Sequence, residues 1–498
     1  MLFEAFKRNR LEHGRSAAFL VSTGDRAVSI SWRDFTDDID AVVQIIREHA
    51  AGATIAVLGE NSYEWMVVHA AIVFSGATVT PVDANLSAEE IAARLKFVKA
   101  PALVYSSLYE EKAHAVAKLC PGLGTCGFGT RKTDSYLEVA RAALEKGPSL
   151  SLWNQEGIVF SRRGTTKTAT SMLVFTSGTT SEPRGAELTV EAMETFCEWA
   201  SACLPMRHGD RSLMLLPLHH IFGVCTTYLM LAKGVALGVC PDFRRLYDAV
   251  ERFRARFLFL VPALAEILAQ KIRQKGPSAE TALGHPLDWI LVGGAALSRR
   301  TYEHLAELGI QPITGYGLTE TAAAYSITPL SEQSPIGAQG KASEAAGVET
   351  MVSQDGELLI KGPCVMKGYY KMPERTAAAI DKDGWYHTGD LGRIDERGYV
   401  WITGRASRTI ILSSGKKIAP EELEEKLLAI PGIFETVVSG DGQTREIRAE
   451  VYGSASERAI NRAIAKLNLT LPVYKRISTV IIRKEPFPRT SSGKIKVG

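Results

Sequence analysis

From Thr54 to about Ile327, short apolar runs alternate with stretches of helical period. Thr54–Leu58 is apolar, Asn61 or Ser62 can cap a helix running through Ser75 to a stop at Gly76, and Thr78–Val82 is apolar again. Ser87-x-x-Glu90 is a capping box that opens a helix to about Val98, before the next strand at Ala102–Tyr105. The alternation resumes with a buried strand at Met172–Phe175 and a helix capped by Thr189, whose Val190, Met193, Cys197 and Ala200 share one face. It continues through strand-like Leu213–Leu216, helix-like Val224–Ala232, apolar Val235–Val239, helix-like Arg244–Arg256, strand-like Phe257–Val261 and a helix to about Lys275. Strand-like Trp289–Val292 and a Ser298-capped helix close the series. This is βαβ grammar, and it predicts the α/β class with a parallel sheet covered by helices.

Beyond Ile327 the period shortens. Glu357–Ile360, and the pair Leu391–Ile394 and Tyr399–Ile402 around a turn at Asp395–Gly398, predict a small antiparallel barrel or meander. A further helix begins at Pro420, where a missing N–H is harmless and Glu421 and Glu422 suit the dipole. The composition turns basic after Gly404, so the expected domains are residues 1–403 and 404–498, with the boundary near Gly404–Ser407.

A length of 498 residues implies two or three domains, and 46% hydrophobic with 23% charged residues excludes extensive disorder. The amino-terminal residues carry no signal-peptide run, and the most apolar window, Val224–Cys240, is broken by Lys233 and Gly234. A cytoplasmic protein is expected, with loose contact to a lipid surface left open. Seven cysteines without a C-x-x-C pair suggest neither a disulfide framework nor a zinc site. The net charge of +3 hides an asymmetry: residues 404–498 hold 17 Lys and Arg against 10 Asp and Glu, leaving 41 against 45 elsewhere. A basic segment suits nucleic acid, a membrane surface or phosphorylated small molecules. No nucleic-acid motif accompanies it, which favours the last.

The candidate chemistry centres on MLVFTSGTTSEPRGAELT, residues 172–189. Thr176 to Gly185 is a loop too polar to join a core. Gly178 and Gly185 let backbone N–H groups turn inward, Thr176, Ser177, Thr179, Thr180 and Ser181 add hydroxyls, and Arg184 adds a fixed charge, so a polyphosphate is the expected ligand. The P-loop pattern G-x-x-x-x-G-K-[ST] is absent from the chain. A G-x-G-x-x-G match at Gly122–Gly127 follows Cys120-Pro121 rather than a strand and reads as a turn. Two further glycine-bearing segments, 293–296 and 314–317, follow strands at the carboxyl edge where open α/β sheets bind ligands.

Taken together and in order, these segments resemble the adenylate-forming superfamily of acyl-CoA synthetases, adenylation domains and luciferases, over about residues 10 to 498. The matching motifs are Thr176–Gly185; Pro217-Leu-His-His220-Ile-Phe-Gly223; Tyr316-Gly317-Leu318-Thr319-Glu320; Tyr386-His-Thr-Gly389-Asp390; Gly404-Arg405 with the run from Ile411 through Gly415 to Pro420; and Pro488–Lys494. The resemblance implies a large N-terminal domain of parallel-sheet α/β layers plus a small β-barrel, and a small mobile α+β C-terminal domain hinged near Ser407. It implies that His220 lies beside an acyl pocket and that Tyr316 stacks on adenine with Gly294, Ala295, Gly315 and Gly317 alongside. It further implies that Thr319 holds the α-phosphate, Glu320 holds Mg²⁺, and Asp390 and Arg405 take the ribose. Lys494 would join the carboxylate to the α-phosphate, and Gly415 would leave room for a pantetheine arm. Three positions depart from the family pattern: Arg184 for the usual Lys, Thr314 for Gln or Asn, and Ser407 for Asp or Lys.

The implied reaction is activation of a carboxylic acid by ATP to acyl-AMP with release of pyrophosphate, then transfer to CoA. The runs 411–424, 356–362 and 368–373 resemble fatty acyl-CoA ligases more than amino-acid-activating domains, so a medium- or long-chain fatty acid leads and aromatic acids stay open. An acyl-carrier-protein synthetase is the same-fold alternative. A phosphotransferase or a non-catalytic nucleotide sensor are the alternatives from other classes.

Overall fold

Strands Thr54–Leu58 and Thr78–Val82 run parallel in register from Thr54 beside Thr78 to Leu58 beside Val82, and Ala102–Ser106 pairs in parallel on the other side. Their helices form where the caps predict. Ser62 accepts from Trp65 N at the start of Tyr63–Ser75, Ser87 and Glu90 close a reciprocal capping box at Ala88–Val98, and Gly76 ends the first helix in the left-handed conformation at φ 82°. Asn61, the other candidate cap, instead clamps a distant loop.

The computed structural model describes residues 1–23, 26–128, 168–176, 184–344, 347–412, 416–440, 446–488 and 495. Packing groups them into two compact units, residues 1–349 with 361–384, and residues 350–360 with 385–498. The meander strands beyond Trp385 thus pack with the carboxyl-terminal residues. The expected 403/404 boundary stays with the functional proposal.

Three sheets build the first unit. The largest has seven strands in the order Gly368–Tyr369, Arg184–Thr189, Thr170–Thr176, Thr78–Val82, Thr54–Leu58, Ala102–Ser106, Gly124–Phe128. Its middle is parallel, while Arg184–Thr189 and Gly368–Tyr369 add antiparallel strands at one edge. The second sheet aligns Phe257–Leu260, Trp289–Val292 and Gln311–Tyr316 in parallel and ends on antiparallel Ser326–Ile327. The third joins the hairpin Ala17–Thr23 and Arg26–Ser31 to Ala236–Val239 and Arg211–Met214. Helix Leu2–His13 and this hairpin have no counterpart in the sequence reading. The helix buries Leu2, Phe3 and Phe6, with Phe6 packed edge-on to Trp32 and Phe74.

One expectation is corrected. The glycine-rich Gly124–Phe128 is a parallel edge strand beside Ala102–Ser106 rather than a turn. Gly127 lies under the Tyr105 ring, where a Cβ would come within 3.3 Å, so its missing side chain serves close packing and not a bend. Thr176 and Arg184–Gly185 belong to the seven-stranded sheet, whereas 293–296 and 314–317 go with the four-stranded one.

In the second unit, Glu357–Lys361, Tyr386–Ile394 and Val400–Arg405 form the expected antiparallel meander, with Glu349–Val352 at its edge. The strands Ile433–Gly440, Ile447–Gly453 and Ile477–Ile482 form a three-stranded sheet. Helices Pro420–Leu428 and Glu457–Thr470 join its core through Leu423, Leu427, Ile460 and Ile464.

Candidate nucleotide and acyl site

The phosphate-loop motif is held at its base. Thr176 ends its strand directly opposite Arg184, so Arg184 and Gly185 belong to the returning strand rather than to the loop as expected. Ser177, Gly178, Thr179 and Thr180 lie outside the described residues. Strand Gly368–Tyr369 pairs next, Tyr369 opposite Ala186, and Tyr370 N donates to Gly185 O at 2.8 Å. Across the resulting face, the Arg94 guanidinium lies 5.5 Å over the Phe175 ring. Burial raises the neighbouring Glu187 carboxyl above its usual range, opposed by Lys367.

The same short strand reaches the second motif. Tyr369 OH donates to Glu320 Oε1 at 2.8 Å, and Met366 N donates to Glu320 O at 2.8 Å. Both the carboxylate and the backbone of Glu320 are therefore tied to the segment that braces the phosphate loop. Among the described residues no group of three or more His, Cys, Asp or Glu could hold a metal ion. A lone carboxylate still fits Mg²⁺, which binds through one or two carboxylates and substrate phosphates rather than a protein cage.

Thr319 and Glu320 ride on a sharply looped turn. A Cβ on Gly317 would sit 1.5 Å from the Ala323 carbonyl oxygen, so only glycine admits the loop. Ala322 and Ala323 hold φ at 50° and 88°, a left-handed conformation that costs non-glycine residues roughly 1–3 kcal/mol each. Leu318 N donates to Thr321 Oγ1 at 2.9 Å and Ala323 N to Leu318 O at 3.2 Å. The Thr321 hydroxyl thus satisfies the backbone N–H of Leu318, which caps the turn. Tyr316 packs at 5.2 Å, edge-on, against buried Tyr325, and Gly315 admits Ser326 O where a Cβ would come within 3.0 Å. Thr314 closes a buried hydroxyl cluster, 2.8 Å from Ser334 Oγ and 3.3 Å from Thr328 Oγ1.

His220 precedes helix Ile221–Ala232 and is set by its neighbours. Asn61 donates to Leu216 O at 2.9 Å and accepts from Leu218 N at 3.2 Å, clamping the loop. A Cβ on Gly223 would come 2.4 Å from Pro217 O, which explains the P-x-x-H-x-x-G spacing: the helix seats on the proline carbonyl only through glycine. Phe222 then lies where a Cβ on Gly293 would approach to 3.0 Å, bringing this helix against the Gly293–Ala296 loop, in which Gly294 takes φ 83° beside Val261. His219 and His220 have ring centroids 4.4 Å apart, and His219 Nε2 lies 3.6 Å from Asp83 Oδ1.

In the second unit Asp390 and Arg405 face each other across adjacent strands, with Arg405 Nε 2.6 Å from Asp390 Oδ1. Arg405 Nη1 also donates to Thr388 O, and Asp390 N to Thr388 Oγ1. Glu357 braces this corner, accepting from Gly389 N at 2.8 Å. Ser407 lies in the turn Ala406–Arg408, whose Arg408 is gripped by Glu421 and Glu424. Gly415 and Lys494 lie outside the described residues. The sequence reading missed Tyr369, Asp83 and His219. For Tyr369 the available signal was its place in the 368–373 run, used there only for substrate class.

Residues 6–370 match the sequence model of the AMP-binding enzyme family. The chain is 26% identical over 462 residues to the long-chain-fatty-acid–CoA ligase FadD13 of Mycobacterium tuberculosis, covering 90% of this chain and 87% of that one. It is 29% identical to 4-coumarate–CoA ligase 2 of Oryza sativa, covering 89% and 82%. The solved structure of an ATP-bound RpMatB-BxBclM chimera superposes with a TM-score of 0.84 at 25% identity, over 99% of this chain and 96% of that one.

Proposed function

Because the chain belongs to the AMP-binding enzyme family, we propose that it activates a carboxylic acid with ATP and passes the acyl group to CoA. A medium- or long-chain fatty acid is the substrate, and the cytoplasm the compartment. Among the described residues no helix is long and apolar enough to cross a membrane. The observation that carries this reading is the Tyr369 tether, which ties the one carboxylate of the Thr319-Glu320 motif to the strand that braces the phosphate loop.

An anionic carboxylate must approach anionic phosphorus, and pyrophosphate leaves with still more charge, so donors and cations must surround both groups. The loop 176–180 and Arg184 hold the outer phosphates, Thr319 the α-phosphate, and Glu320 the metal. Bound Mg²⁺ would screen the phosphate charge. Tyr316, Gly294, Ala295, Gly315 and Gly317 receive adenine, Asp390 and Arg405 the ribose, and His220 flanks the acyl group. Lys494 neutralises the reacting pair, then withdraws as residues 404–498 turn about Ser407 and Gly415 approaches the thiol path.

The test is a pyrophosphate-release screen over carboxylic acids, with CoA, acyl carrier protein or neither. Pyrophosphate and AMP with a fatty acid, and thioester only with CoA, are expected. Carrier-dependent thioester identifies the acyl-carrier-protein synthetase instead, an aromatic acid alone moves the substrate class, and ADP or no pyrophosphate with any acid overturns the reading.

A further inference from the structure

We infer that His219, oriented by Asp83, accepts the proton of the attacking thiol during acyl transfer. The inference rests on the proposed thioester-forming reaction. Asp83 follows strand Thr78–Val82 at its carboxyl end, and Asn85 donates twice to its Oδ1, from N at 2.9 Å and Nδ2 at 3.0 Å, fixing the carboxylate. His219 Nε2 sits 3.6 Å from that same oxygen, too long for a hydrogen bond but close enough for the charge to orient the ring. Apo spacings of this kind commonly tighten when substrate binds. Nε2 has no hydrogen-bond partner and is shielded from solvent, so facing the carboxylate makes it the protonated nitrogen. That tautomer leaves Nδ1 as the lone-pair acceptor. The ring is 4.4 Å from that of His220, the motif histidine beside the acyl group.

The chemistry calls for such an acceptor. A thiol with an ordinary pKa of about 8.5 is only a few per cent thiolate near neutrality, and attack on the acyl carbon needs the thiolate. In the step, the S–H proton moves to His219 Nδ1 and sulfur bonds to the acyl carbon. The carbon–oxygen bond to the phosphate breaks, and AMP leaves with that electron pair. The imidazolium, steadied by Asp83, then loses its proton to water. Other charged groups share this corner: Arg94 and Tyr109 both feel Asp83, Tyr109 also feels Glu60, and His220 flanks the ring. Burial lowers the His219 pKa against the opposing pull of Asp83, which favours the neutral, accepting ring.

The experiment measures single-turnover thioester formation from supplied acyl-AMP and CoA between about pH 6 and 9, alongside pyrophosphate release from ATP and acid. His219→Gln is expected to lower the ratio of the two rates about 100-fold near neutrality, with the remaining rate climbing about tenfold per pH unit until the thiol itself ionises. Asp83→Asn is expected to lower the ratio about tenfold and to displace the profile of the wild type, and it carries the test should His219→Gln not fold. Equal loss in both half-reactions, or wild-type pH profiles in both variants, overturns the assignment. Failure of the wild type to make any thioester would instead sink the acyl-transfer reading itself.

Discussion

The two compact units position their residues by different physics. The first works by steric exclusion. Glycines at 223 and 317 admit backbone carbonyls where a Cβ could not fit, Gly293 lies tight against the Phe222 ring, and the left-handed pair Ala322–Ala323 is held by surrounding backbone bonds. One of its buried titratable groups, His69, is neutral: it is fully buried, 3.0 Å from Tyr228 OH and stacked on Trp65, and desolvation lowers its pKa to about 3. In the second unit glycine contacts such as Gly453 on Gly432 O are joined by a dense set of ion pairs. Arg405 pairs with Asp390, Arg408 with Glu421 and Glu424, Lys475 with Glu422, and Arg448 and Arg483 with Glu450. A site built by exclusion is rigid and indifferent to salt, whereas ion pairs can be exchanged for others.

Acid breaks the comparison most strongly. The folded pKa of His69 lies below its unfolded value of 6.5, so the folded state binds fewer protons and its stability is full above pH 6.5. That stability is lost as pH falls from 6.5 towards 3, up to about 5 kcal/mol at the limit. Urea unfolding of His69→Leu should show a flatter acid limb than the wild type. Next, Lys494→Ala should reduce pyrophosphate release about 1,000-fold while thioester formation from supplied acyl-AMP stays within a few-fold. Equal loss of both steps would remove the division of labour between the units.

Gly317→Ala places its Cβ 1.5 Å from Ala323 O and should cost about 3 kcal/mol, seen as a lower denaturation midpoint with salt-independent magnitude. Arg408→Gln breaks a half-buried network and should cost about 2 kcal/mol, a loss that shrinks in high salt. Tyr369→Phe removes one hydrogen bond to Glu320 and should lower kcat/KM for adenylation about tenfold, or about 1 kcal/mol, with the fold unchanged by circular dichroism.

Much of the scaffold was legible because its signals are local. Ser62, Ser87, Thr189, Ser298 and Pro420 open the helices they were expected to open, since a cap needs only the next three residues. The apolar run Trp289–Val292 became a strand with those bounds. The glycines of Gly124–Phe128 misled, because pairing with Ala102–Ser106 outweighs their turn preference. The N-terminal helix and hairpin escaped because their apolar residues find their partners far along the chain, Phe6 on Tyr228 and Phe19 beside Leu237.

By itself, then, the order of residues determined the capped helices, most of the apolar strands and the motifs that match the family, each of which rests on local spacing. Tertiary structure alone decided that Arg184 stands in a strand, that Tyr369 reaches Glu320 across 49 residues, and that His219 faces Asp83. Those contacts join segments whose separation in sequence carries no periodic signal. Only the pairing of strands and the seating of helices on glycine bring them within hydrogen-bonding or Coulombic reach.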